Sequence, residues 1–220
     1  MKRFVLWPFG PLHFAMLLAG CSRISPPSPD IATAASASKI AGISSPQNLT
    51  LIAIDNSGST DSMRKEIISM AYDVATDLKP EVDSFKAYAF ASDIHEVTSE
   101  VPMDEDAFAA LLTQDVIPTS KDYGTDYSKV MKRLADESAA SSAHSIRLII
   151  AGDGFTDDVN PAVTNRFEQA EEELAANHHV TDIVFYGIKT GAREQLEGYL
   201  KGGSYQLHFI DLGQSVPPLP

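Results

Sequence analysis

Three oxygen-bearing side chains at alternate positions, Asp55, Ser57 and Ser59, follow directly on the apolar run Leu51-Ile52-Ala53-Ile54. A carboxylate and two hydroxyls in that spacing turn hard oxygen donors the same way, which suits a hard divalent cation. The apolar run reads as a buried strand with Asp55 at its carboxyl end, where open α/β sheets place their ligands. A second run of the same kind, Ile146 to Ala151, stops at Gly152-Asp153-Gly154. These two runs are the most apolar strands in the sequence and are expected to be central neighbours in one sheet. If the sheet is doubly wound they flank the crevice where strand order reverses, and Asp55 and Asp153 share it.

The elements that must position these groups alternate in type. From Leu49 onward strands alternate with helices, which predicts a three-layer, doubly wound, mainly parallel sheet with helices on both faces. After the first strand, Met63, Ile67, Met70, Val74 and Leu78 follow helical spacing until Pro80 stops the run. A second strand is centred on Phe85, Tyr88 and Phe90, and a return through Val97 and Val101 would make an antiparallel edge strand. Asp104 to Val116 reads as a short helix, Pro118 to Gly124 as a polar loop, and Asp126 to about Ala140 as a helix through Val130, Met131 and Leu134. A helix after Pro161 carries Val163, Phe167, Ala170 and Leu174 on one face. The strand Asp182 to Ile188, a helix Ala192 to Leu200 and a last strand Tyr205 to Leu212 complete the unit. Residues 213–220 are Pro-rich and predicted to be a loose tail.

The order of strand, DxSxS, helix, loop threonine, and a later strand ending in Asp before Gly resembles that of von Willebrand factor A domains with a metal-ion-dependent adhesion site. The resemblance covers about Asn48 to Leu212. Asp55, Ser57 and Ser59 match the DxSxS triplet, Thr125 in Tyr123-Gly124-Thr125-Asp126 matches the threonine, and Asp153 matches the second aspartate. It implies five oxygen donors around Mg²⁺ or Mn²⁺, a set less suited to Ca²⁺. It also implies a coordination position completed by an Asp or Glu carboxylate of a protein partner. The departure from the pattern is Gly152, where the family more often carries Thr.

Each residue taken alone has a plainer reading. Ser57, Ser59 or Thr125 could be a helix cap, and Asp153 before Gly154 could be a turn residue. A phosphatase of the haloacid-dehalogenase type is the catalytic alternative, because Gly152-Asp153-Gly154-Phe155-Thr156-Asp157 resembles its GDGxxD motif. Those enzymes need an acid two residues after the aspartate nucleophile, and Ser57 stands there. No GxSxG elbow follows a strand. His95, His144 and His208 are scattered without zinc spacing, and His178 and His179 read as a solvated helix end. Glu171-Glu172-Glu173 reads as the wet face of its helix. Asp157 and Asp158 beside the site would suit either repulsion of acidic partners or a second cation. The chain is therefore expected to bind rather than to catalyse, and a scaffold with a vestigial metal site is the third reading.

The chain has 220 residues and a formal charge of −13. That length suffices to bury roughly 70% of the unfolded surface, and that charge argues against the phosphate grip of nucleic-acid binding. Cys21 is the single cysteine, so no internal disulfide forms. Residues 1–20 read as a signal peptide: Met1-Lys2-Arg3, a short and broken apolar stretch, then Leu18-Ala19-Gly20 before Cys21. Leu18-Ala19-Gly20-Cys21 resembles the lipobox of bacterial lipoproteins, which implies cleavage before Cys21 and its acylation. Ser22, rather than Asp, then implies the outer membrane, facing the periplasm. Residues 21–48 form a Ser/Pro/Ala-rich tether with a typical reach of about 30 Å. A domain over 49–212 would hang from it, in the cell envelope.

Overall fold

The computed structural model describes residues 46–102, 104–114, 124–156 and 160–218. Cys21, the leader, nearly all of the tether, and Asp157 and Asp158 lie outside the described residues. The first strand, β1 (Asn48–Asp55), is buried from Leu49 onward. It pairs in parallel with β2 (Asp83–Phe90) on one side and with β4 (Ser145–Ala151) on the other. The edge strand β3 (Ile94–Thr98) runs antiparallel to β2, while β5 (Val180–Tyr186) and β6 (Gln206–Ile210) extend the sheet in parallel beyond β4. The order β3-β2-β1-β4-β5-β6 reverses direction of growth between β1 and β4. The strands that end at Asp55 and before Asp153 are thus the neighbours at the switch point, where such sheets place their ligands.

Side-chain alternation along β1 explains why both its faces are apolar. Leu51 and Ala53 join one core with α3 (Tyr127–Ala140), α4 (Pro161–Ala176) and α5 (Thr190–Tyr199). Ile52 and Ile54 point the other way, into a core with α1 (Arg64–Thr76) and α2 (Glu105–Gln114). A strand covered on both sides has no polar face, which is why its sequence reads as a continuous apolar run. At 13 residues α1 would be marginal alone in water. It is held by Ile67, Met70 and Ala71 against the sheet, each large side chain stabilising by about 1.5–3 kcal/mol on burial.

The helix starts carry identifiable signals. Asp126 caps α3 by accepting from the backbone N–H of Ser128 and Lys129, and Asn160 caps α4, whose first residue is Pro161. On α4 the predicted stripe Val163, Phe167, Ala170 and Leu174 is buried in full.

The structure corrects several expected boundaries. β5 ends at Tyr186 rather than Ile188, because Gly187 turns the chain with φ of +77°. The edge strand stops at Thr98, whose hydroxyl accepts from Glu100 N–H in a tight turn, and Val101 is left exposed beyond it. His178 and His179 do not end a helix: α4 stops at Ala176 with Asn177 as its cap, and the histidines lie in the turn before β5. The acidic run is only partly a wet face, since Glu173 pairs with Lys132 at 3.1 Å and Glu171 accepts from Gly202 N–H at 2.8 Å.

The tail is the largest correction. Gly213 N–H donates to the Tyr186 hydroxyl at 2.9 Å, Val216 packs against the α1-side core, and the carbonyls of Pro217 and Pro218 each accept from Arg147 at 2.7 Å. Residues 213–218 therefore run back across the sheet, from the carboxyl end of β5 to the amino end of β4. Arg147 is 3% exposed, so its guanidinium needs acceptors where water does not reach. Two prolyl carbonyls supply them. Among the described residues no helix is long and apolar enough to cross a membrane.

Candidate functional site

Asp55 is the last residue of β1 and has no exposed surface. Beyond it the chain turns at once through a single 3-10 turn, Gly58–Thr60. The buried Thr60 hydroxyl lies 3.0 Å from the carbonyl of Asp55 and 2.8 Å from that of Ser57, closing the turn back on the strand end. Asn56 anchors the other side of the loop by donating to the Leu112 carbonyl of α2 at 3.1 Å. Within this frame Ser57 N–H donates to Asp55 Oδ1 at 2.9 Å, and the hydroxyls of Ser57 and Ser59 lie 3.0 Å apart. Ser57 occupies the capping position of the 3-10 turn, yet its side chain makes no capping bond. The helix-cap reading of Ser57 therefore fails on geometry.

The capping reading of Thr125 fails as well, because Asp126 caps α3. Thr125 is buried at the end of the loop before that helix. Two residues further on, Tyr127 donates from its hydroxyl to Asp55 Oδ2 at 3.2 Å and accepts from Gly154 N–H at 2.8 Å. The start of α3 is in this way drawn against both strand ends. Asp153 follows β4, is 2% exposed, and turns Oδ1 to Phe155 N–H at 3.1 Å. That is a turn contact of the expected kind, and it engages one oxygen only. The other, Oδ2, lies 3.3 Å from the ammonium of Lys189.

The electrostatics follow from burial. Removal of the Asp55 carboxyl from water pushes its pKa up to about 6; its bonds with Ser57 oppose the rise, the nearby Asp153 charge adds to it, and the Tyr127 hydroxyl opposes it. Two carboxylates close enough to repel each other thus lie by a loop whose Ser59 is exposed, with the Lys189 ammonium on one of them.

The hydroxyl pair, hydrogen-bonded across 3.0 Å, has a spacing that a small hard ion would accept. In octahedral coordination with metal–oxygen bonds of about 2.0–2.1 Å, adjacent ligands stand about 3.0 Å apart. The Ser57 and Ser59 hydroxyls have that separation already. Among the described residues no group of three or more His, Cys, Asp or Glu side chains is placed to hold a metal, so hydroxyls would have to share the work with the two aspartates.

Three residues of this site were not singled out from the sequence: Thr60, Tyr127 and Lys189. The one available hint was the glycine at 152. A Cβ there would stand 2.2 Å from the Tyr127 hydroxyl and 2.5 Å from Asp55 Cβ, so a side chain at 152 and the phenol at 127 exclude each other. Lys189 left no signal, since it reaches Asp153 across 36 residues from the start of α5.

No family model matches the sequence, and no curated protein matches it either. Solved structures do. The PilB minor pilin from Streptococcus sanguinis superposes with a TM-score of 0.54 at 11% identity, over 76% of this chain and 57% of the pilin. This chain thus spans less than two thirds of that protein's length. A von Willebrand factor type A protein from Catenulispora acidiphila gives 0.51 at 19% identity, over 75% of this chain and 39% of that one. The SpRpn10 VWA domain gives 0.51 at 13% identity, over 79% of this chain and 90% of the domain. The fold is that of von Willebrand factor A domains.

Proposed function

We propose that this chain is a protein-binding module that captures an Asp or Glu of its partner through a divalent cation, Mg²⁺ or Mn²⁺ in preference to Ca²⁺. Asp55, Ser57, Ser59, Thr125 and Asp153 would hold the ion. The observation that carries the reading is the pair of hydroxyls on Ser57 and Ser59, 3.0 Å apart beside Asp55, with Ser57 not spent on capping. The von Willebrand factor A fold, used elsewhere for protein interaction without catalysis, supports a binding role.

The balance of donors explains why a partner would be wanted. Hydroxyls are neutral, so only two carboxylates offset the ion's charge, and it retains affinity for one further anion. The bound cation supplies an electrophilic site for that carboxylate. Ser57 favours binding over the phosphatase alternative, because a hydroxyl engaged with Ser59 stands where that chemistry needs a second acid. The location belongs to the same proposal: acylated Cys21 holds the chain at the outer membrane, and the tether lets the domain meet partners in the periplasm.

The test is a titration of Mg²⁺ against the thermal midpoint. Binding stabilises the folded form by about 2.7 kcal/mol when the ion is at a hundred times its dissociation constant. Asp55→Ala and Asp153→Ala should abolish the shift. A pulldown from the native envelope with and without chelator, with Asp55→Ala as control, then reads partner capture. A shift that survives both substitutions would place the ion elsewhere.

A further inference from the structure

Tyr127 touches chain on both sides of the proposed site while contributing no donor to it. Its hydroxyl gives a hydrogen bond to Asp55 Oδ2 at the end of β1 and takes one from Gly154 N–H in the loop after β4. Its backbone N–H donates to the Thr156 hydroxyl at 3.3 Å, further along that loop. Its own position is two residues past Thr125. The ring is wholly buried and packs edge-on against Phe90 of β2, with centroids 5.1 Å apart. A phenol held so firmly has little freedom to move away from the carboxylate.

Gly152 makes room for it. A Cβ at that position would fall 2.2 Å from the phenol oxygen, 2.5 Å from Asp55 Cβ and 2.9 Å from Asp55 Oδ2. Carbon and oxygen cannot approach so closely, so the phenol oxygen sits where the first atom of any side chain at 152 would crowd it. We infer that Tyr127 is a positioning residue of the cation site: its hydroxyl, lodged in the space Gly152 leaves, fixes the rotation of the Asp55 carboxylate and the distance between the ends of β1 and β4. The inference rests on the cation-binding reading above. In metal sites the groups that orient a ligand commonly change affinity by 10- to 100-fold when removed.

The experiment titrates Mg²⁺, and Mn²⁺ in parallel, into the full chain and three variants, with metal-free thermal midpoints recorded alongside. Tyr127→Phe keeps the ring and its packing on Phe90 but leaves Gly154 N–H without its acceptor, so the metal-free midpoint should fall; Mg²⁺ should weaken about tenfold or more as well. Phe90→Leu removes the ring's edge contact, lets the hydroxyl drift from Asp55 and should weaken Mg²⁺ by a smaller factor. Phe85→Leu, in the core on the other face of the sheet, is the control that lowers the midpoint and leaves the dissociation constant alone. A purely structural tyrosine would behave like that control. Native affinity in Tyr127→Phe would overturn the inference. Should Tyr127→Phe fail to fold, Phe90→Leu carries the test, and an unchanged affinity there overturns the inference. A native chain that responds to neither ion sinks the binding proposal and this inference together; a responsive native chain with an equally responsive Tyr127→Phe sinks this inference alone.

Discussion

The ammonium of Lys189 stands 3.3 Å from Oδ2 of Asp153, and 5.6 Å from the centre of the exposed Phe155 ring. One positive charge is therefore already placed at a carboxylate that the proposed cation would claim. The side chain is 52% exposed, so the attraction is screened and modest. Lys189→Met should tighten Mg²⁺ binding by about two- to fivefold at low ionic strength, with the gain shrinking as salt rises. Calorimetric titration at two salt concentrations reads this, and an unchanged or weaker affinity would show that the lysine does not compete.

Asp55 gives the pH dependence. Its folded pKa of about 6 lies above the 3.8 of an exposed Asp, so the folded state holds the proton more tightly. The stability this contributes is fully present below about pH 3.8 and lost as pH rises through about 6. At pH 7.5 the metal-free protein thus carries a buried charge costing about 2–3 kcal/mol. Asp55→Asn should raise the metal-free midpoint at pH 7.5, have no such effect near pH 3.5, and abolish the Mg²⁺ response. In the native chain that response should fade below about pH 6, where the proton competes with the ion. Thermal melts across pH with and without Mg²⁺ measure all of this.

Ser57 separates ligation from capping. Its side chain makes no capping bond but does bond Ser59 and Asp55, so Ser57→Ala should cost about 1 kcal/mol in the metal-free protein at pH 7.5 and less near pH 3.5, where Asp55 is neutral, whereas loss of a cap would cost the same at both. Mg²⁺ affinity should fall at least tenfold. Retained affinity with an equal loss of stability at both pH values would restore the capping role.

Arg147 and the tail form one unit. Ending the chain after Ser215 removes both prolyl carbonyls and the packing of Val216, and uncovers a guanidinium that the tail holds at 3% exposure. The expected loss is about 1–3 kcal/mol in denaturant titration. Arg147→Met in the full chain should cost a similar amount by leaving both carbonyls unpaired, and the two changes together should cost less than their sum. Equal stability of full and shortened chains would show that the tail does not hold.

The proposed location turns on Cys21. Under that proposal Cys21→Ala should leave the protein unacylated and release it from the membrane fraction. Trp7 is the single tryptophan and lies in the proposed leader, so the processed protein should show tyrosine emission only. Tryptophan emission from the purified membrane form would contradict processing.

The sequence by itself determined the layered fold, because a strand covered on both faces must be apolar throughout and a helix covered on one face must repeat near 3.6 residues. Leu51 to Ile54 and the stripe from Val163 to Leu174 have no other stable use. It also placed Asp55 and Asp153 at the ends of adjacent strands, since the two most apolar runs belong at the centre of a sheet covered on both faces. What it could not contain were contacts made by direction rather than by type. The Tyr127 hydroxyl reaches Asp55 over 72 positions, and Arg147 reaches the Pro217 carbonyl over 70. Neither is written in any local period; each exists only because the sheet brings distant backbone together, where burial favours polar atoms that find a partner. The glycine at 152 shows the difference most clearly: in sequence it was a missing threonine, and in the folded chain it is the space a tyrosine hydroxyl needs.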